Sequence, residues 1–150
     1  MDLTDIKIIN ILETEGRISI KELGQKVALS SPAVTERIKR LEDSRIIQGY
    51  KAIISTEELG YNINFFIHVA INVSKQKSFL EFANNNDNIV ECHHVTGAYS
   101  MILKARLDNM SSLESLLGKI QAFGNTETHV IMSTPIAGKN VFPSEASMKL

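Results

Sequence analysis

Residues 30 to 42 read SSPAVTERIKRLE, so short or polar side chains (Ser30, Ser31, Pro32, Ala33, Thr35) precede a cluster of charge at Glu36, Arg37, Lys39 and Arg40. Small groups allow a backbone to approach a surface closely, while guanidinium and ammonium groups bond phosphate oxygens. A segment that is short at one end and cationic at the other suits a ligand with recessed polar edges framed by phosphates, as in a nucleic-acid groove. A basic helix face alone is usually only solvated, and Glu36 and Arg40 form an i, i+4 pair that needs no ligand. The elements around the segment decide between these readings.

Val34, Ile38 and Leu41 recur at i, i+4 and i+7, which predicts a helix with these three on its core side. Its opposite side then presents Pro32, Ala33, Glu36, Lys39 and Arg40, with Thr35 and Arg37 on the flanks. Either Ser30 or Ser31 caps this helix, and Pro32 falls in its first turn, where a missing N–H is harmless. Ahead of it, Ser19-Ile20-Lys21-Glu22 is a capping box opening a helix with a buried stripe of Ile20, Leu23 and Val27. Ala28, Leu29 and Ser30 form the turn between the two. A first helix carries Ile8, Ile9 and Leu12, capped by Asp2 or Thr4, with Asp5 in its first turn and Gly16 ending it. Three short helices, the last two joined by a tight turn, make a helix-turn-helix frame that sets one helix in the major groove of DNA. Ser30, Ser31, Pro32, Thr35, Glu36, Arg37, Lys39 and Arg40 are the candidate DNA-contacting residues.

Ile46 to Ile54 reads as a strand leaving the third helix, so residues 1–54 form a DNA-binding domain with a trailing strand, of the winged type. Residues 55–64 are the hinge, with a helical turn from Thr56 to Leu59 ended by Gly60. The pattern then becomes β-α-β-β-α-β over 65–150. The strands are Phe65–Val73, Ile89–Thr96, Tyr99–Leu107 and Glu127–Ser133. One helix spans Ser78–Asn85, and a second is capped by Ser111 or Ser112 and closed by Gly124. This is an α+β chain whose second half is ferredoxin-like. Ile67, Val69, Ile71, Met101 and Leu103 serve the helix-covered sheet face. Phe66, His68, Ala70, Ile102 and Ile131 make the other face too apolar for water, which predicts a homodimer through it and two recognition helices about 34 Å apart.

Net charge is −1 across 150 residues, so no global basic field is present and any nucleic-acid contact must be local. The single cysteine, Cys92, excludes an internal disulfide and fits a reducing compartment. No apolar run approaches the roughly 20 residues of a membrane span, and the acidic start lacks signal-peptide character, so the expectation is cytoplasmic and nucleoid-associated. His93 and His94 point to opposite faces of their strand; His68 and His129 fall on neighbouring strands, where an interface role outweighs a metal site. No metal or cofactor is expected. Gly24 and Gly118 lie within helices, where close packing is the ordinary explanation, and the tail from Ala137 either packs through Val141 and Phe142 or frays.

Over nearly its whole length the chain resembles the leucine-responsive regulatory protein/AsnC (Lrp/AsnC) family of transcription regulators. The matching residues are Asp2 and Asp5 with Ile8 and Leu12, Gly16-Arg17-Ile18-Ser19, Glu22-Leu23, Leu29-Ser30, Arg37 to Glu42, and Ile46 to Tyr50. In the second half they are Val90 to His93, Thr96-Gly97 and Leu103-Lys104. The resemblance implies a DNA-binding helix-turn-helix, a hinge strand and a RAM/ACT-like βαββαβ domain that often binds amino acids. It also implies dimers that assemble into tetramers, octamers or open arrays on double-stranded DNA. Thr96, Gly97, Tyr99 and Ser100 are then the effector candidates. The acids typical of this turn in amino-acid sensors are replaced by Ala98 and Ser100. A buried ammonium without a carboxylate is strongly disfavoured, so the effector differs, Glu91 or Glu127 substitutes, or no effector binds. Two rival functions follow: an architectural DNA-wrapping protein without effector, and a small ferredoxin-like enzyme. The absence of a nucleophile beside a base argues against the enzyme.

Overall fold

In the computed structural model, which describes residues 1–142, Asp2 caps helix α1 (Leu3–Thr14). The Asp2 carboxylate accepts the Asp5 N–H and the Asp5 carboxylate accepts the Asp2 N–H, both at 2.9 Å. Helix α2 (Ile20–Lys26) starts with the same reciprocal arrangement between Ser19 and Glu22. Helix α3 (Ser31–Asp43) is capped by Ser30, not Ser31, whose Oγ accepts the Ala33 N–H. Ile8, Ile9, Leu23, Val34, Ile38 and Leu41 form the core of this helical unit. Ile20 is exposed instead of buried. Helical Cβ atoms lean toward the N-terminus, so a first-turn side chain points past the end of its helix.

The strand expected over Ile46–Ile54 does not form, and Ile53 is 96% exposed. A strand exists only with a ladder partner for its N–H and C=O groups, and none pairs with this segment among the described residues. Residues 136–142 group with the helical unit, which corrects the assignment of the whole tail to the second domain. Phe142 packs on its core, and the Val141 N–H donates to the Glu13 carboxylate at 3.2 Å. The rest of the expected tail, 143–150, lies outside the described residues.

The second compact unit spans Ile54–Pro135. It opens with a hydrogen-bonded turn at Thr56–Tyr61, where Gly60 takes φ 87°. Strand β1 (Ile63–Ile71) leads through a 3-10 turn (Val73–Lys75) to α4 (Gln76–Asn84). Then follow β2 (Ile89–His94), β3 (Met101–Leu107), α5 (Met110–Ile120) and β4 (Gly124–Val130). The sheet order is β2-β3-β1-β4, all neighbours antiparallel, which is the ferredoxin-like arrangement. Phe65, Ile67 and Val69 of β1 and Met101, Leu103, Ala105 and Leu107 of β3 face Phe79, Ala83, Leu113, Leu116 and Ile120 of the two helices. Phe79, Phe82 and Phe123 add a ring cluster with Phe79 and Phe82 each 5.4 Å from Phe123.

Several boundaries differ from expectation. Val73 leaves the sheet and is 84% exposed, and Leu80 faces solvent. Helix α5 is capped by Asn109, whose Oδ1 accepts the Ser112 N–H, so Ser111 and Ser112 fall inside the first turn. β4 begins at Gly124, three residues before the expected start, and this glycine opens the strand instead of closing the helix. A Cβ there would lie 2.0 Å from the Ala70 carbonyl oxygen of the paired strand. Gly118 meets nothing within 4 Å, so close packing does not explain it. Among the described residues no helix is long and apolar enough to cross a membrane.

The two glycines give opposite expectations. Gly124→Ala forces a methyl into backbone and should cost about 1–3 kcal/mol. Gly118→Ala, in an open helical position, should stabilise by about 0.5–1 kcal/mol. Urea unfolding midpoints check both, and equal effects at the two sites would contradict the close approach of Gly124 to the Ala70 carbonyl.

Candidate nucleic-acid interface

The turn between α2 and α3 is tight because Gly24 lacks a side chain. The Leu29 N–H donates to the Gly24 carbonyl at 2.9 Å, and a Cβ on Gly24 would sit 2.7 Å from the Leu29 oxygen. Ala28 takes φ 56°, the left-handed conformation that reverses the chain. Ser30 then starts α3, and the first turn of α3 contains no acidic residue, unlike those of α1 and α2. With Val34, Ile38 and Leu41 buried, Ser30, Ser31, Pro32, Thr35, Glu36, Lys39 and Arg40 are all exposed. Thr35 donates to the Ser31 carbonyl at 2.9 Å, which holds its hydroxyl close to the helix.

Arg37 departs from this outward set. Its side chain is only 24% exposed, and Nη1 donates to Asp5 Oδ1 at 2.6 Å and Asp2 Oδ2 at 2.7 Å. Arg37 lies on the flank, as its helical position predicts, but on the side toward α1, where a buried carboxylate draws it inward. Asp5 is 2% exposed, and an ion removed from water needs an opposite charge and hydrogen bonds. Burial pushes its carboxyl upward, but the Asp2 N–H and the Arg37 guanidinium outweigh that and hold it below its ordinary 3.8. Asp2 is lowered as well, first by the Arg37 hydrogen bond and then by the Asp5 N–H. Arg40 Nη2 reaches the same Asp5 oxygen at 3.4 Å while its side chain stays 63% exposed. Sequence reasoning treated Asp2 and Asp5 as helix-start residues only; no local spacing signals a partner 32 residues away.

In the second unit, the β2–β3 loop is closed by the Val95 N–H donating to the Ser100 carbonyl at 2.9 Å, and Gly97 has φ 119°. Thr96, Gly97 and Ala98 are exposed. The Ser100 hydroxyl accepts the Ile71 N–H at 3.0 Å, so it extends the sheet's hydrogen bonding instead of standing free. Tyr99 stacks edge-on against His68 with centroids 5.5 Å apart and donates its hydroxyl to Glu127, which raises the phenol and lowers the carboxyl. The open sheet face is less apolar than expected. Around Phe66, Ala70 and Ile102 it carries Glu91 bonded to Lys104 at 3.1 Å and Glu127 beside His129 at 3.3 Å. His68 and His129 lie with ring centroids 5.1 Å apart. Among the described residues no group of three His, Cys, Asp or Glu side chains could hold a metal ion. Cys92 is half-buried toward the core, where burial raises its thiol.

A glycine-tightened turn that presents a capped, outward helix, in a chain that also carries a βαββαβ sheet, defines a helix-turn-helix transcription regulator. Residues 1–42 match the AsnC-type helix-turn-helix domain and residues 64–141 the Lrp/AsnC ligand binding domain. The chain belongs to the Lrp/AsnC family of transcription regulators. It is similar to the uncharacterized HTH-type transcriptional regulator YezC of Bacillus subtilis (strain 168), 35% identical over 134 residues, covering 89% of this chain and 95% of that protein. The leucine-responsive regulatory protein of Escherichia coli (strain K12) is 34% identical over 139 residues, 88% of this chain and 85% of that protein. The structure of B. subtilis LrpC matches with a TM-score of 0.87 and 30% identity, covering 92% of this chain and 99% of that one. These relatives are regulators, and the enzyme reading is set aside.

The Asp5 pair has a pH signature. A carboxyl held below its unfolded value adds stability that is present above about pH 4 and is lost as pH falls through the native value. Between pH 5 and pH 2.5, Asp5→Asn should therefore lose less unfolding free energy than the parent. Identical acid slopes in chemical denaturation at the two pH values would contradict the assignment.

Proposed function

We propose that the chain binds double-stranded operator DNA with α3 in the major groove. Ser30, Ser31, Pro32, Thr35 and Glu36 approach base edges, and Lys39 and Arg40 bond phosphates. The observation that carries this reading is the division of α3: its core side is fully used by Val34, Ile38 and Leu41, and the opposite side is short at the start and cationic toward the end. Arg37 lies beside this contact set, bonded to Asp5 of α1 and to its cap Asp2.

The binding unit in this reading is a homodimer formed through the open sheet face. Phe66, 40% exposed, and Ile102 supply the apolar centre. The Glu91–Lys104 and Glu127–His129 pairs place both signs of charge on that face, as a self-complementary two-fold interface requires. Tetramers or octamers follow by further association, and the protein acts in the cytoplasm on the nucleoid. The β2–β3 loop is the effector site, with Thr96 and Gly97 outward and Tyr99 and Ser100 shaping it. Its ligand differs from the amino acids that an acidic turn receives, because Ala98 and Ser100 stand where the acids would be and the nearby Glu127 carboxylate already accepts the Tyr99 hydroxyl.

Two measurements test this. In anisotropy titrations Arg40→Ala should weaken binding to every duplex and flatten the log K against log salt slope by up to about one unit; unchanged affinity and slope remove Arg40 from the contact set. In a thermal-shift screen run alongside light-scattering mass, the twenty amino acids should leave the melting temperature unmoved, and a metabolite of another class should raise it. An amino acid that raises it overturns the ligand assignment. Silence across the whole panel, with long phased footprints, favours the architectural role.

A further inference from the structure

We propose that Asp5, assisted by Asp2, is a positioning residue that withholds Arg37 from DNA and so sets how many cations α3 offers to phosphate. This rests on the DNA-binding reading above and goes beyond it, because it assigns a binding-control role to two acids of the first helix.

The capping box alone does not account for Asp5. One of its oxygens, Oδ2, accepts the Asp2 N–H, and this would suffice to start α1. The other, Oδ1, receives Arg37 at 2.6 Å and Arg40 at 3.4 Å. Both bonds from Arg37 use the same nitrogen, Nη1, which sits between carboxylates of Asp2 and Asp5 much as it would sit between two oxygens of a phosphate. To reach DNA, that guanidinium must abandon two charge-assisted bonds and leave a carboxylate that is 2% exposed without its partner. Exchange for one phosphate contact in water is unfavourable.

Asp5 thus grades the three cations of α3. Arg37, with a side chain 24% exposed, is retained. Arg40, 63% exposed and bonded at the longer distance, can leave for a phosphate without opening the core. Lys39 has no carboxylate partner among the described residues. The graded set limits the sequence-independent attraction that every added phosphate contact would increase.

The experiment uses the full chain, with binding to a fluorescein-labelled mixed-sequence duplex followed across a salt series. Asp5→Asn keeps an oxygen for the cap but weakens the hold on Arg37. It should steepen the salt slope by up to about one unit and raise low-salt affinity several-fold. Arg37→Gln should leave the parent slope unchanged, and the double variant Asp5→Asn with Arg37→Gln should return the slope to that of the parent. Asp2→Asn, at an exposed position, removes half of the clamp and should move the slope in the same direction by less; circular dichroism verifies that each variant is folded. A slope that falls in Arg37→Gln places Arg37 on DNA and overturns the proposal. So does Asp5→Asn with a lower melting temperature and an unaltered slope, since a merely structural acid would do only that. Where the parent itself fails to bind the duplex, or Arg40→Ala changes nothing, it is the DNA-binding reading that falls.

Discussion

A carboxylate taken out of water must have its charge answered, and Asp5 finds that answer in a helix 32 residues further along the chain. The side chains of Ile8, Val34 and Ile38 fill the space between α1 and α3, yet apolar packing is tolerant of small rotations about a helix axis. The directional bonds from Arg37 to Asp5 and Asp2 add a polar tie between the two helices to that packing. Which residues of α3 face outward is set by the buried Val34, Ile38 and Leu41 stripe, and the charge pair lies beside it on the flank toward α1.

In the second unit the governing constraint is one of coverage. Two helices pack on one side of a four-stranded antiparallel sheet, and Phe65, Ile67, Val69, Met101 and Leu103 lie beneath them at zero or near-zero exposure. The other side is neither a bare apolar sheet nor an ordinary wet one. Phe66 and Ile102 lie among paired charges and a tyrosine–histidine–histidine row, a composition closer to the centre and rim of an association surface than to a solvated face.

Local chemistry was legible in the sequence wherever donor and acceptor lie within one helical turn. The Ser19–Glu22 box and the Val34, Ile38, Leu41 stripe are of this kind, as is the strand alternation from Phe65 to Val69. What could not be read required a partner remote in sequence or a choice among equals. The flank position of Arg37 is legible, but its engagement by Asp5, 32 residues away, is not. The α5 cap was misassigned because Asn109, Ser111 and Ser112 all suit it, and only the end of β3 at Leu107 selects Asn109. The pattern of Ile46 to Ile54 is apolar enough for a strand, but a single chain supplies no ladder for it. The hydroxyl of Ser100 accepts the Ile71 N–H, a partner 29 residues away that no local pattern signals.

The first turn of α3 holds no acid. Placing glutamate at position 33, opposite Ser30, would complete a third capping box and strengthen the helix. It would also set a negative charge on the dipole end that, in the proposed docking, comes nearest a polyanion. Of the three helices in this unit, α3 is thus the one whose start lacks a reciprocal cap.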